Sequence, residues 1–101
     1  MAIYLKKKLN VINDLKNIEF INKIDENKPH VKIGILNLMP TLEDTERQFI
    51  KVLDNQEVQI ELDFIYLNTQ TKDPEKVAYF KKYYLSFSEI KKEKYDGLLI
   101  T

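Results

Sequence analysis

The chain alternates between two hydrophobic periods, and each change of period marks an element. Val31, Ile33, Ile35, Leu36 and Leu38 form a short apolar run, interrupted by Lys32 and Asn37 and closed by Pro40. A β-branched run this short predicts a strand over residues 31–38 with both faces buried. The period then lengthens. Leu42, Thr45, Phe49, Val52 and Leu53 fall at helical spacing and predict one stripe of an amphipathic helix. Thr41 with Asp44 has the spacing of a capping box, with Asp in place of the usual Glu or Gln. Glu43, Asp44 and Glu46 put negative charge at the positive end of the helix dipole. Asn55-Gln56 supplies the next turn, with Asn55 as a left-handed cap. Val58, Ile60, Leu62, Phe64 and Tyr66 then alternate with Gln59, Glu61, Asp63 and Ile65, which predicts a strand. Its polar second face places this strand nearer the sheet edge than residues 31–38. Strand, helix and strand of these lengths predict a parallel pair with a right-handed crossover. In open α/β sheets the first turn of such a unit borders the ligand crevice.

The flanks carry weaker patterns. Leu9, Ile12 and Leu15 predict a short helix over residues 10–17, and Ile18, Phe20 and Ile24 a brief extended segment. Residues 25–29 are polar, end in Pro29 and read as a linker. Residues 1–30 together form an arm packed on the sheet. Beyond the second strand, residues 68–73 are a polar loop, and Asp73-Pro74 pairs a cap with proline at the first helical position. Val77, Phe80 and Tyr84 mark a helical face, and Ser86-x-x-Glu89 is a capping box opening a lysine-rich turn or helix to about Lys94. Tyr95-Asp96-Gly97 turns into residues 98–101, a further buried-strand pattern. The sequence stops at the carboxyl end of that strand, where open parallel sheets bind ligands. It looks cut off where function would begin.

Composition narrows the chemistry. At 101 residues, 44% hydrophobic and 32% charged, the chain predicts one soluble globular domain. Sixteen basic residues balance sixteen acidic ones, so no net field favours nucleic acid or an anionic membrane. No apolar run approaches the ~20 residues of a membrane span, and no signal-peptide pattern opens the chain. The expected location is the cytoplasm, with no nucleic-acid or membrane partner. Cysteine is absent and His30 is the single histidine, so no disulfide, thiolate metal site or histidine cluster is expected. Gly34 and Gly97 lie too far apart for a phosphate-cradling loop. Lys6, Lys7 and Lys8 read as solvated surface. Tyr79, Tyr83 and Tyr84 among Lys76, Lys81 and Lys82 have the composition of a base-stacking surface. Aromatics at helical spacing read better as core, with the lysines on its wet side.

Three stretches carry a resemblance. ILNLMP at residues 35–40, Thr45-Glu46-x-Gln48-Phe49, and YDGLLIT at residues 95–101 resemble the amino-terminal part of homoserine O-acyltransferases, the homoserine O-succinyl- and O-acetyltransferases of methionine biosynthesis. The resemblance implies an α/β fold with an open parallel sheet, flavodoxin-like and similar to class I glutamine amidotransferases, truncated after the third strand. Residues 1–101 would be a single partial domain, with 1–30 as the arm and 31–101 as the first βαβ-α-β part. The implied chemistry is acyl transfer through a cysteine thiolate, with a histidine base and an orienting glutamate. Homoserine and acyl-CoA, either succinyl-CoA or acetyl-CoA, are the implied small-molecule substrates. No bound cofactor is implied, and a homodimer is left open.

No catalytic residue carries over, because the family's Cys, His and Glu positions lie beyond Thr101. His30 precedes the first strand and does not match the catalytic histidine. This chain alone is therefore expected to be inactive. The substrate-binding candidates are Met39, Pro40 and Thr101, placed at the switch point by a flavodoxin-like strand order, together with Thr45 and Glu46. Glu46 either holds a substrate ammonium or the nucleophile's loop, or with Thr45 fixes the helix start against the sheet. Asn37 has the same two readings. The alternatives are a serine O-acetyltransferase of the same scaffold, and an inactive remnant or interaction module. A three-strand sheet with its third strand unprotected is expected to be marginal and prone to edge pairing.

Overall fold

A computed structural model describes residues 2–54 and 57–101. In chain order the elements are β1 (Ile3–Tyr4), a 3-10 helix (Asn10–Asp14), β2 (Phe20–Ile21), β3 (His30–Leu36), α1 (Leu42–Leu53), β4 (Gln59–Tyr66), α2 (Pro74–Tyr83), β5 (Leu85–Ser86), α3 (Phe87–Ile90) and β6 (Gly97–Ile100). All strand pairings among them are parallel, in the order β2-β1-β4-β3-β6, with β5 beside the carboxyl end of β4. The fold is α/β with an open parallel sheet. β3 lies between β4 and β6, pairing Gly34 with Asp63 on one side and Leu98 on the other. That is the neighbourhood the resemblance implies for residues 31–38 and 97–101. A Cβ on Gly34 would meet Ile65, Leu98 and Tyr95 side chains at 2.9, 3.0 and 3.1 Å, so its absence lets the residues flanking β3 close over the strand.

The main core joins the sheet to the arm and to α1 and α2, through Ile3, Leu9, Val11, Ile50, Leu62 and Phe80 among others. A smaller cluster of Ile65, Leu85 and Ile90 lies on the other side. Tyr66 and Phe80 stack with ring centroids 5.0 Å apart, while Lys81 and Lys82 are exposed, as expected of a core-facing aromatic stripe. No helix among the described residues is long and apolar enough to cross a membrane.

Several expectations are corrected. β4 is a central strand, not one nearer the edge. Its polar residues are partnered inside the fold: Gln59 exchanges hydrogen bonds with the Asp25 backbone, Glu61 pairs with Lys32 at 3.6 Å, and Asp63 accepts from the Tyr95 hydroxyl at 2.8 Å. Satisfied polar groups can be buried, so alternation did not mean a wet face. β3 is exposed at His30 and half-buried over Val31–Ile33, and it ends at Leu36. On α1 the buried residues are Leu42, Thr45, Glu46 and Ile50, whereas Val52 is 63% exposed. Thr41 makes no side-chain cap bond there. The expected helix over 10–17 is a shorter 3-10 turn, and the arm enters the sheet as β1 and β2. β6 is apolar but exposed, with Leu98, Leu99 and Ile100 at 51, 40 and 66%. Lys7 is not free in solvent: its ammonium donates to the Lys81 and Tyr84 carbonyls, both at 2.8 Å, at the end of α2.

The other caps match expectation. Asp73 accepts from the Glu75 N–H, and Ser86 and Glu89 close a reciprocal capping box, although α3 stops at Ile90. The Asn55-Gln56 turn and the Asn55 cap lie outside the described residues.

Candidate functional site

Where β3 ends, the chain must turn from sheet into helix within five residues, and Asn37 organises the turn. Its N–H extends the ladder to the Ile65 carbonyl at 3.3 Å, and its own carbonyl accepts from Gln70 Nε2 at 2.7 Å. The side chain works in two directions. Oδ1 accepts from the Met39 N–H at 3.1 Å, a local turn-making bond typical of Asn. Nδ2 donates to the Tyr84 hydroxyl at 2.8 Å and lies 3.4 Å from the Leu42 carbonyl. All four groups are satisfied, which is what permits Asn37 to be fully buried.

Thr101 ties β6 to the same turn. Its N–H donates to the Leu36 carbonyl at 3.2 Å, and its Oγ1 accepts from the Leu38 N–H at 2.8 Å. Met39, Pro40 and Thr101 are thus brought to one rim at the carboxyl ends of β3 and β6, with Met39 and Pro40 exposed. Behind them, Thr45 and Glu46 lie on the inner face of α1, both buried. Glu46 Oε2 accepts from the Tyr84 hydroxyl at 2.6 Å and the Tyr79 hydroxyl at 2.7 Å. Its Oε1 has no hydrogen-bond partner among the described residues.

Burial pushes the Glu46 carboxyl above its ordinary value, and the hydroxyls of Tyr84 and Tyr79 oppose that shift. Burial and then the neighbouring carboxylate raise both tyrosines, so both stay protonated and able to donate. A groove of about 460 Å³ runs between the amino ends of α1 and α2, lined by Pro40, Glu43, Asp44, Arg47, Lys76 and Tyr79 among others. A smaller hollow of about 170 Å³ reaches Leu38, Met39, Pro40 and Gln70. Neither is lined by Thr45, Glu46 or Thr101. His30 sits at the opposite end of β3, its Nδ1 3.1 Å from the Lys28 carbonyl.

The sequence reading did not reveal Tyr84 and Gln70 as partners of the turn, nor Tyr79 as a second donor to Glu46. A signal was available. An acid at position 46, beside Thr45 on the inner stripe, needs a buried donor, and the tyrosines of residues 79–84 carry hydroxyls able to serve.

The sequence profile of the family described as homoserine O-succinyltransferase matches residues 2–101. Over 106 residues the chain is 36% identical to a homoserine O-acetyltransferase of Streptococcus mutans, an alignment covering 100% of this chain and 34% of that protein. A homoserine O-acetyltransferase of Lachnospira eligens is 37% identical over 77% of this chain and 25% of its own length. One from Acetivibrio thermocellus is 38% identical over 70% of this chain and 23% of its own. The chain spans about a third or less of the length of these curated relatives.

Proposed function

The chain belongs to the homoserine O-succinyltransferase family, and from that premise we propose that it supplies the amino-terminal α/β portion of an enzyme that moves an acyl group from acyl-CoA to the hydroxyl of L-homoserine. The supporting observation is the family match across the β3–α1 turn, which lies where open parallel sheets place their ligand crevice. The relatives named above are O-acetyltransferases, so acetyl-CoA is the first donor in this reading and succinyl-CoA the second. Their names specify homoserine as acceptor, which favours it over serine. The setting we propose is methionine biosynthesis in the cytoplasm.

The chemistry is two transfers. A cysteine thiolate attacks the thioester carbonyl, the carbon–sulfur bond to CoA breaks, and CoA thiolate leaves. The homoserine hydroxyl, losing its proton to a histidine, then takes the acyl group and restores the thiolate. Residues 1–101 contain no cysteine and supply scaffold: Met39, Pro40 and Thr101 form the rim, and Thr45 and Glu46 secure the helix behind it.

The test is thiol release from acetyl-CoA and succinyl-CoA by the polypeptide as its source makes it, with its intact mass measured alongside. Homoserine-dependent release is expected from that product, and none from residues 1–101 alone. No release with either donor from the natural product overturns the reading. Turnover by residues 1–101 overturns the thiolate mechanism.

A further inference from the structure

A fully buried carboxylate is costly to keep, and Glu46 uses its two oxygens unequally. Oε2 takes two short hydroxyl bonds while Oε1 takes none within the described residues. A carboxylate accepts and cannot donate, and each tyrosine has one proton to give. Tyr84 gives its proton to Glu46, so its oxygen is left to accept, and the group in reach is Asn37 Nδ2. That settles which way round the Asn37 amide sits. Nδ2 faces Tyr84 and the Leu42 carbonyl, and Oδ1 faces the Met39 N–H. Turned over, the amide would set a donor against the Met39 N–H and an acceptor against the Leu42 carbonyl. Along the path from the Met39 N–H through the Asn37 amide and the Tyr84 hydroxyl to Glu46, each donor therefore points toward the carboxylate, an arrangement in which the bonds polarise one another.

We propose that Glu46 is a positioning residue for the Asn37–Pro40 turn: acting through Tyr84 and the Asn37 amide, it fixes the backbone at the rim without touching substrate. That the rim faces substrate rests on the acyltransferase reading; the chain of hydrogen bonds does not. The two tyrosines separate this role from simple packing. Both hydroxyls bond the same oxygen at nearly the same distance, and it is Tyr84 that also bonds Asn37.

Amide hydrogen exchange, read by NMR on the full chain without substrate, decides the matter. In Tyr84→Phe the Met39 amide is expected to exchange about five to ten times faster, the equilibrium value of one ordinary hydrogen bond, relative to β4 amides that report global opening. In Tyr79→Phe it stays within about twofold. Glu46→Gln, whose carbonyl replaces Oε2, keeps Met39 protected, and Glu46→Ala does not. Unchanged protection in Tyr84→Phe, or equal loss in Tyr79→Phe, overturns the proposal, and these two variants decide if Glu46→Ala fails to fold. In the active enzyme, Tyr84→Phe is expected to lower kcat by about tenfold through a displaced rim. An unchanged kcat with a loosened Met39 overturns the role at the site. Absence of turnover in the wild type counts against the acyltransferase reading and leaves the exchange result standing.

Discussion

Glu46 makes the single-residue argument sharpest, because its cost and its use are both visible. Burial raises its carboxyl above the ordinary 4.5, opposed by hydrogen bonds from Tyr84 and Tyr79, reinforced by Glu43 and reduced by Arg47. Between the ordinary and the raised value, the folded chain holds a proton that the unfolded chain has released. Stability from this group therefore falls as pH rises through that window and is constant above it. Glu46→Gln does not titrate. The Tm of the wild type, measured against Glu46→Gln, is expected to drop as pH rises from 4.5 and then level off. A difference that is flat, or that grows more favourable with pH, would contradict a raised carboxyl. At this scale the sequence showed where Asn37, Thr45 and Glu46 stand but not what they hold. Asn37 and Tyr84 are 47 positions apart, and their bond exists because the residue that caps the end of α2 lies beside the residue that follows β3. Periodicity counts a tyrosine as an aromatic ring and is blind to where its hydroxyl points.

Among the elements, α2 shows how a charge run can be misread. Lys7 lies in a row of three lysines, yet its ammonium caps two carbonyls at the end of the helix that carries Tyr79. A cation there satisfies otherwise unpaired acceptors and complements the helix dipole. Lys7→Met, which keeps the apolar stem, is expected to cost about 1 kcal/mol and lower Tm by roughly 4–8 °C in thermal unfolding. Lys8→Met, at an exposed position, should change stability by less than about 0.5 kcal/mol. Equal effects of the two would remove the capping role. Long elements were legible: α1, β4 and the start of α2 follow from spacing and from the Asp73-Pro74 signal. β1 and β5 were not, since two residues carry no period to detect, whereas β2 lies inside the brief extended segment expected from Ile18, Phe20 and Ile24. The placing of β4 failed for a different reason. Alternation records which residues are polar, and Lys32, Tyr95 and the Asp25 backbone decided that those residues could be buried.

Across the whole molecule, the two flanks of the sheet differ. On one side β1 and β2 cover the amino half of β4; on the other, β6 carries Leu98, Leu99 and Ile100 substantially exposed. An apolar outer strand on a chain of zero net charge is a template for pairing. Residues 1–101 are expected to self-associate reversibly at roughly micromolar to millimolar concentration, as seen by sedimentation velocity, and Ile100→Lys to shift the population toward monomer. A wild-type monomer across that range would contradict this. The covered flank has a consequence in time. Ile3 and Tyr4 leave the ribosome ahead of their partners Ile60 and Glu61, which follow only on the order of three to ten seconds later at ordinary translation speeds. Until then Ile3, Leu5, Leu9 and Val11, all destined for the core, lack the strand that completes their burial, although β2 within the arm and α1, which also contacts the arm, precede it. The nascent arm is thus a waiting apolar segment, and the emergence of β4 sets the moment at which it can come to rest.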